Sequence, residues 1–243
     1  MIEIKDLSFA YPGGGPVLEH ITLQLQKGAL LCLAGVNGSG KSTLLSLLAG
    51  LLSPDKGYIR VGRHKSPGRE EKLRQTCGLL LQDVDLQILG ATVEEDLLLG
   101  TDPKDKIARE KALATARNFQ LDTLLERPVQ ALSWGQKKKL CLAAVLIRAP
   151  KVLLLDEPLS GLDYPGIMEM RSLLVQNRSQ GLTQVMAAHD LDPVADLIDF
   201  LAVLDQGRIQ LFGPPADILD KTKHFGVRPP CSWGKDKGIK PWK

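Results

Sequence analysis

The chain of 243 residues is 44% hydrophobic and 24% charged, a composition that fits one large globular domain with its own core. Its formal net charge of +3 is concentrated at the end, where residues 221–243 hold seven Lys or Arg and a single acidic residue, Asp236. The basic character therefore belongs to the tail and does not indicate a nucleic-acid partner, which we do not expect.

The first part of the chain predicts strands on either side of a glycine-rich loop. Ile2–Tyr11 and Ile21–Gln26 alternate apolar and polar residues, as half-buried strands do, and a turn rich in Pro and Gly separates them. Ala29–Ala34 is a short apolar run, typical of a strand buried on both faces. A helix is predicted after the loop at Lys41–Ala49. Further strands are predicted at 58–61 and 76–81.

From Thr92 to Arg148 the pattern is helical, beginning with a capping box at Thr92-Val93-Glu94-Glu95. Buried strands and helices then alternate again. The predicted helices are 106–119, 136–147, 167–176 and 191–198, and the predicted strands are 151–155, 183–187 and 200–204. This alternation implies an α/β fold with a mainly parallel sheet covered on both faces, and the helical block indicates an inserted subdomain.

The strongest local motif is Gly35-Val36-Asn37-Gly38-Ser39-Gly40-Lys41-Ser42-Thr43, which matches the G-x-x-x-x-G-K-[ST] phosphate-binding loop. Its glycines allow successive backbone N–H groups to point at phosphate oxygens. Lys41 supplies positive charge for the β- and γ-phosphates, Ser42 supplies a hydroxyl for Mg²⁺, and the following helix N-terminus favours negative charge. A buried strand before the loop and a helix after it complete the context that this motif requires.

A second motif, Val152-Leu153-Leu154-Leu155-Asp156-Glu157, is a hydrophobic strand that ends in two adjacent carboxylates. Side chains alternate between the faces of a strand, but both acids can reach one site where the chain leaves the sheet. Asp156 suits Mg²⁺, directly or through a bound water. Glu157 is placed to orient or deprotonate an attacking water.

These two motifs define only a P-loop nucleotide triphosphatase, and further residues narrow the family. Leu132-Ser133-Trp134-Gly135-Gln136 resembles the LSGGQ signature of the ATP-binding-cassette (ABC) family. Gln82, His189 and Tyr11 resemble the Q-loop glutamine, the switch histidine and the aromatic residue that stacks on adenine. Ser160-Gly161-Leu162-Asp163 resembles the D-loop. Each of these would alone more often be an ordinary structural residue, but their shared order favours the ABC family.

The resemblance runs from about Ile2 to Leu219 and carries an expected domain organisation. It implies a RecA-like P-loop NTPase core, an N-terminal antiparallel β subdomain and an inserted α-helical subdomain. We expect an ABC ATPase domain over 1–222, with the helical subdomain at about 84–148. A basic C-terminal tail would occupy 223–243.

The resemblance also implies ATP and Mg²⁺ as bound groups, and a second cassette as partner. In ABC ATPases two cassettes dimerise head to tail, and each ATP lies between one phosphate loop and the partner's signature. Ser133 and Gly135 would contact the γ-phosphate across that interface. The expected nucleotide-binding residues are Tyr11, Gly35, Asn37, Gly38, Ser39, Gly40, Lys41, Ser42, Thr43, Ser133, Gly135, Gln136 and Asp163.

By the same resemblance, Glu157 would be the general base, with His189 holding the γ-phosphate and the attacking water. Gln82 would contact Mg²⁺, together with Ser42 and Asp156, and would report to the transmembrane partner. Catalysis would rest mainly on positioning and electrostatic stabilisation. Trp134 departs from the pattern, because the signature most often has Gly there; its ring could alter dimer affinity or simply pack.

Within the family, the spacing of Gln82 and Gln87 and the element Thr92–Asp96 resemble the energy-coupling-factor and cobalt/nickel-uptake ATPases. Asp83-Val84 replaces the usual Asn-Pro of that subgroup. The resemblance favours an importer of a transition-metal ion or a vitamin. Two alternatives stay open: an exporter subunit, and a soluble ABC ATPase acting on nucleic acid or ribosomes, which typically has a coiled-coil insertion or a second cassette.

The resemblance places the protein at the cytoplasmic face of the membrane, with integral membrane subunits as partners. No apolar stretch approaches the length of about 20 residues needed to span a bilayer, and no secretion signal is expected. The four cysteines form no CxxC pair, which favours free thiols. The tail, with Trp233 and Trp242, would be a flexible extension or a contact to anionic lipid or the membrane partner.

Overall fold

The computed structural model describes residues 1–102, 105–234 and 238–242. These residues contain ten strands and seven α-helices. The strands are β1 (Ile2–Ala10), β2 (Pro16–Leu25), β3 (Leu30–Ala34), β4 (Lys56–Val61), β5 (His64–Ser66), β6 (Cys77–Leu80), β7 (Val152–Asp156), β8 (Thr183–Ala188), β9 (Phe200–Asp205) and β10 (Arg208–Gly213). The α-helices are α1 (Lys41–Leu48), α2 (Glu70–Thr76), α3 (Val93–Leu97), α4 (Lys106–Asn118), α5 (Trp134–Leu146), α6 (Tyr164–Ser179) and α7 (Pro215–Ile218). Short 3-10 helices lie at Val84–Leu86, Asp122–Leu124, Val129–Ala131 and Leu219–Phe225.

Two sheets organise these elements. An antiparallel sheet has the strand order β2-β1-β4-β5, and a six-stranded sheet has the order β10-β9-β3-β8-β7-β6. The second sheet is parallel except for β10, which pairs antiparallel with β9 at one edge. This architecture confirms the predicted P-loop NTPase fold with its N-terminal antiparallel β subdomain.

The five parallel strands of the second sheet all end at the same edge. The inner strands β3, β7 and β8 are buried at every residue, as continuous apolar runs predict. Ala34 pairs with Ala188, and Asp156 pairs with Ala187, so these strands end level with one another. Parallel strands that end level place the loops that follow them side by side, which is where α/β sheets bind ligands.

Helices α3, α4 and α5 form the inserted helical part of the chain, as predicted. They share a hydrophobic cluster of their own, distinct from the two clusters on the faces of the parallel sheet. Small residues on α4, Ala112 and Ala116, are buried in it with Leu140 of α5. The insertion is therefore held by its own core, while α5 also packs on the sheet through Cys141 and Leu142.

The predicted helix at 191–198 is wrong, because the segment forms successive turns. Pro193 has no backbone N–H for a helical hydrogen bond. The Leu191 carbonyl accepts hydrogen bonds from both Val194 N and Ala195 N. The Asp192 carboxylate accepts a hydrogen bond from the backbone N–H of Cys231, in the C-terminal tail. The chain therefore turns tightly towards β9 without a regular helix. Strands β5 and β10 and helices α2 and α7 were not predicted from the sequence.

The described part of the C-terminal tail lies on the body of the protein. Trp233 packs against a core cluster and donates its indole N–H to Asp220, and Trp242 lies 5.4 Å, centroid to centroid, from Tyr164. Arg228 pairs with Asp192. The predicted flexibility of this tail concerns its motion and stays a prediction. The tail charges Lys235, Asp236, Lys237 and Lys243 lie outside the described residues. Over the described ranges, no helix is long and apolar enough to cross a bilayer.

Candidate functional site

The phosphate loop connects β3 to α1 and passes very close to the end of β9. A Cβ atom at Gly35 would lie 2.2 Å from the Leu204 carbonyl oxygen, so only glycine fits at the first loop position. Gly40 has φ of +104°, and a Cβ there would lie 2.7 Å from Leu18 Cδ2. The loop can therefore approach β9 and β2 closely because glycine, which has no side chain, occupies these two positions.

Lys41, at the first residue of α1, is folded back into its own loop. Its Nζ donates to the Gly35 and Val36 carbonyl oxygens at 2.8 and 3.0 Å. Burial lowers the pKa of the ammonium, while the neighbouring Glu157 and Asp156 carboxylates favour its charged form. The carbonyl oxygens of the loop thus surround a cation supplied by the chain itself.

Asp156, the last residue of β7, lies beside Ser42. Burial raises the pKa of its carboxyl, and a hydrogen bond to Ser42 and the charge of Lys41 oppose that rise. Within the described residues, Asp156 Oδ1 is buried with no hydrogen-bond partner, and so is Ser39 Oγ in the phosphate loop. Buried polar atoms are almost always paired, so the two orphaned oxygens mark places where a ligand completes the site. A carboxylate and a hydroxyl side by side are donors that Mg²⁺ accepts.

Glu157 follows directly in a left-handed backbone conformation, with φ of 48°. Its N–H bonds the Ala187 carbonyl, which fixes the turn at the end of β7. Its Oε2 lies 2.8 Å from Nδ1 of His189, the residue after β8. Strained non-glycine residues cluster at functional sites, and here the strain turns a carboxylate towards a histidine from the next strand.

Tyr11 lies at the entrance to the same site. Its hydroxyl is 3.3 Å from Thr43 Oγ1 on α1, and its ring meets Phe9 edge to face, with centroids 5.0 Å apart. The ring remains about half exposed. An exposed aromatic face beside a phosphate loop can stack on a nucleobase.

Gln82 is exposed just beyond β6, at the same edge of the sheet as Asp156 and Glu157. Gln87 holds this segment in place, because its side chain accepts from Leu81 N at 2.9 Å and donates to the Leu79 carbonyl at 3.1 Å. Gln87 therefore acts on the backbone around Gln82 and faces back towards the strand.

The Thr92–Asp96 element supports the next part of the same loop. Asp96 is buried, and its Oδ1 accepts from Leu89 N and Gly90 N at 2.9 and 3.0 Å. Thr92 caps α3 through Glu95 N, as predicted. The second half of the capping box differs, since Glu95 accepts from Ala91 N. Together with Gln87, these residues shape the loop that carries Gln82.

The signature forms the N-terminus of α5 with a complete capping box. Ser133 Oγ accepts from Gln136 N at 3.3 Å, and Gln136 Oε1 accepts from Ser133 N at 2.9 Å. Asp163 caps α6 with a single hydrogen bond, which its side chain accepts from Gly166 N. Across the residues that the structure describes, no hydrogen bond joins Ser133, Gly135 or Gln136 to the phosphate loop. The expected site residues therefore fall into two groups: one around the phosphate loop, and one at the exposed start of α5 and α6.

Lys138 was missed in the sequence, where it is the middle residue of a Lys run. It is 1% exposed, and its Nζ donates to the Ser160 carbonyl at 2.7 Å, inside the D-loop. One signal could have found it. Lys138 lies one helical turn from Trp134 and one turn from Leu142, which places it on the buried face of α5 while its two lysine neighbours stay partly exposed.

Comparison with known proteins agrees with this geometry. Residues 18–160 match the ABC transporter family. The chain is 38% identical to the cobalt import ATP-binding protein CbiO of Rhodobacter capsulatus, over 95% of this chain and 85% of that protein. It is 36% identical to the energy-coupling factor transporter ATP-binding protein EcfA2 of Methanospirillum hungatei over 90% of its own length, but spans only 56% of that relative.

Among solved structures, cbiO1 of Clostridium perfringens, part of the ABC transporter complex cbiONQ, superposes with a TM-score of 0.80. It is 32% identical in sequence, and the match covers 92% of each chain. The family match covers the phosphate loop, the signature and the paired carboxylates of β7, which are the residues that the geometry singles out. The chain therefore belongs to the ABC transporter family, as one of its ATP-binding and ATP-hydrolysing cassettes.

Proposed function

We propose that the chain powers import by an energy-coupling-factor type transporter, as a peripheral subunit at the cytoplasmic face of the membrane. The cargo class is a transition-metal ion such as cobalt or nickel, or a vitamin. The similarity to named cobalt and energy-coupling-factor ATPases supports this reading. The contacts of Gln87 and Asp96 also support it. Both residues belong to the pattern typical of the subgroup, and both hold the backbone of the loop that carries Gln82. The exporter and nucleic-acid alternatives have no such support.

The chemistry rests on one observation: Glu157 and His189 meet at 2.8 Å beside the orphaned carboxylate oxygen of Asp156 and the phosphate loop. Glu157 would act as the general base for the attacking water. His189 would orient that carboxylate and hold the γ-phosphate. Lys41 would exchange its two loop carbonyls for phosphate oxygens, and Tyr11 would stack on the adenine.

Ser42 and Asp156 would hold Mg²⁺, with Gln82 as a third contact. The fit comes from the adjacent hydroxyl and carboxylate and from the unpaired Asp156 Oδ1. Held by these residues, Mg²⁺ would supply positive charge to offset the negative charge of the phosphates. The residues of the chain then need only keep ATP and the attacking water in line.

The second group of residues completes the site of another subunit. Ser133, Gly135, Gln136 and Asp163 lie at exposed helix starts, where backbone N–H groups attract anions. We therefore propose a head-to-tail dimer with an identical or related cassette, in which each signature closes on the partner's ATP. Integral membrane subunits would be the remaining partners.

The test of this site is the oligomeric state of purified Glu157→Gln with and without ATP and Mg²⁺. Gln keeps the shape of the side chain but cannot take a proton, so we expect hydrolysis to fall by at least about 100-fold. ATP should then be trapped and convert monomers to dimers in size-exclusion chromatography with light scattering. The wild-type protein with ATP is the control, because turnover should prevent stable dimers. Absence of ATP binding by either protein would contradict the proposed site.

The cargo class is tested by uptake in cells that lack their own importers. We expect uptake of radioactive cobalt or nickel, or of a vitamin, when the chain is produced with its membrane subunits. The Glu157→Gln variant should abolish that uptake. Uptake that is equal with the variant and the wild type, for every cargo tried, would contradict an importer.

A further inference from the structure

Trp134 and Lys138 lie one helical turn apart on α5 and both face the D-loop of the same chain. Lys138 Nζ is 2.7 Å from the Ser160 carbonyl oxygen and 3.4 Å from that of Glu157. Both carbonyls belong to the turn that leaves β7. The helix that begins with the signature is thereby bonded to the turn that carries the proposed general base.

The indole of Trp134 covers the next residue of the same turn. Gly161 has φ of +73°, and a Cβ there would lie 2.9 Å from Trp134 Nε1 and 3.2 Å from its Cδ1. The ring therefore occupies the space that a side chain at residue 161 would need. The Lys138 ammonium lies 5.9 Å from the centroid of the same ring, which adds a cation–π contact.

Placing a lysine here is unfavourable unless the contacts offset its loss of water. Burial lowers the pKa of Lys138 to about 8, and the attraction of Glu157 opposes that change. A buried apolar side chain would fill the space without this desolvation. The described partners of the ammonium are two main-chain oxygens and one ring, which fix where the D-loop lies.

We propose that Trp134 and Lys138 are positioning residues that lock the D-loop and the Glu157 backbone to the signature helix of their own subunit. This inference rests on the proposed roles of Glu157 and the signature. In the dimer, the signature meets the ATP of the partner, whereas Glu157 serves the ATP of its own chain. The lock makes movement of α5 at one ATP site move the general base at the other.

The experiment compares Lys138→Met with Lys139→Met in ATP hydrolysis and ATP binding. Met keeps the length of the side chain but cannot donate to the Ser160 carbonyl. Lys139 is the matched control: it is adjacent on α5, half-buried, and paired with Glu169 on the surface. For Lys138→Met we expect kcat to fall by about 10- to 100-fold, with ATP affinity within about twofold of wild type. Lys139→Met should match wild type in both.

A second variant, Lys138→Gln, retains an amide donor and should recover part of the lost kcat. Trp134→Ala should reduce kcat by a smaller factor, and adding it to Lys138→Met should cost less than the product of the two separate reductions, because both act on one turn. Equal kcat in Lys138→Met and Lys139→Met would overturn the proposal. So would a Lys138→Met variant that loses ATP affinity together with kcat, or Gln and Met variants with the same loss. If Lys138→Met does not fold, the Gln and Trp134 variants decide alone.

These results separate the proposal from the proposed function. If the wild type hydrolyses ATP and Glu157→Gln forms ATP-dependent dimers, the site is sound, and the Lys138 variants then test only the lock. If neither happens, the proposed function itself fails before the lock is tested. Amide hydrogen exchange at 160–162 gives an independent readout, which we expect to quicken in Lys138→Met and not in Lys139→Met.

Discussion

At the scale of single residues, the candidate site contains a buried carboxylate oxygen without a hydrogen-bond partner among the described residues and a strained backbone, both of which are unfavourable in a folded chain. Asp156 is 6% exposed and its Oδ1 has no partner within the described structure. Glu157 has a left-handed backbone. Both features represent an exchange of stability for activity that active sites often show.

We expect Asp156→Asn to raise the melting temperature of the nucleotide-free protein at neutral pH. Because burial raises the pKa of the folded carboxyl, its ionised form is less favourable in the folded chain than in the unfolded one. The contribution of Asp156 to stability is therefore complete below the unfolded pKa and is lost as the pH rises through the folded pKa. Asn removes the charge, which should raise Tm by about 2–4 °C for about 1 kcal/mol in a chain of this length.

Calorimetry from acidic to neutral pH checks this expectation. The difference in Tm between variant and wild type should widen as the pH rises, and Mg²⁺ should no longer strengthen ATP binding in the variant. Asp122→Asn, at an exposed carboxyl, is the control and should change Tm little. A wild-type protein that is more stable than Asp156→Asn at neutral pH would show that the carboxylate is not under strain.

At the scale of elements, the loop between β6 and α3 is held by side chains bonded to main-chain atoms. Gln87 replaces the missing backbone partners of Leu79 and Leu81 at the edge of the parallel sheet, and Asp96 does the same for Leu89 and Gly90. A loop built in this way keeps one shape without a core of its own. We expect such a loop to transmit movement between the sheet and the helical part of the chain.

For Gln87→Leu we expect local loosening of this loop with ATP binding retained. Two part-buried main-chain groups lose their partners, at a cost of about 1–3 kcal/mol. Amide exchange over 81–90 should then quicken by about tenfold or more, since each 1.4 kcal/mol is a factor of ten. Mass spectrometry measures this directly. Gln75→Leu, whose amide pairs with Glu71 on exposed α2, should leave the loop unchanged, and equal exchange in the two variants would contradict the role given to Gln87.

Much of this element structure could be predicted from the sequence, and the failures have physical reasons. The all-apolar strands β3, β7 and β8 were predictable because burial on both faces leaves a continuous hydrophobic run. Helix α2, short and polar, has only Leu73 buried and so lacks a periodic pattern. The segment 191–198 has apolar residues at helical spacing, but Pro193 and the contacts of Asp192 with the tail prevail over that local pattern.

The candidate site was predictable to a different degree. Lys41, Ser42, Asp156, Glu157 and His189 lie together as their motifs predict, because level strand ends bring separate motifs to one edge. Lys138 was not found, since a run of three lysines resembles a solvated helix face and only the packing of α5 against the D-loop distinguishes the middle one. Sequence motifs thus predict side chains of the candidate site better than side chains, such as Lys138, that hydrogen-bond to the main chain.

At the scale of the whole molecule, each chain of the proposed dimer would contribute half of each of two ATP sites. The phosphate loop and the signature lie on separate elements, with no hydrogen bond between them in the described structure. Complementary defects should therefore rescue each other. We expect Lys41→Ala and Gly135→Asp to be inactive alone, because one loses the phosphate loop and the other the signature. Their mixture forms some mixed dimers that hold one intact site.

Mixing the two purified variants, with stoichiometry checked by light scattering, tests this arrangement. Hydrolysis should recover to about one quarter of the wild-type rate, because half of the dimers are mixed and each has one of its two sites intact. The single variants at doubled concentration are the control. A mixture no more active than those controls would show that each chain builds its site alone or needs both sites at once.

The arrangement of Lys41 has a consequence for the heat of nucleotide binding. Its ammonium donates to the Gly35 and Val36 carbonyls, and these bonds hold the loop in one conformation. We therefore expect a nucleotide to exchange one set of polar partners for another without having to order the loop. Binding to the monomer should accordingly show a small change in heat capacity, and the larger change should accompany closure of the dimer, where apolar surface leaves water.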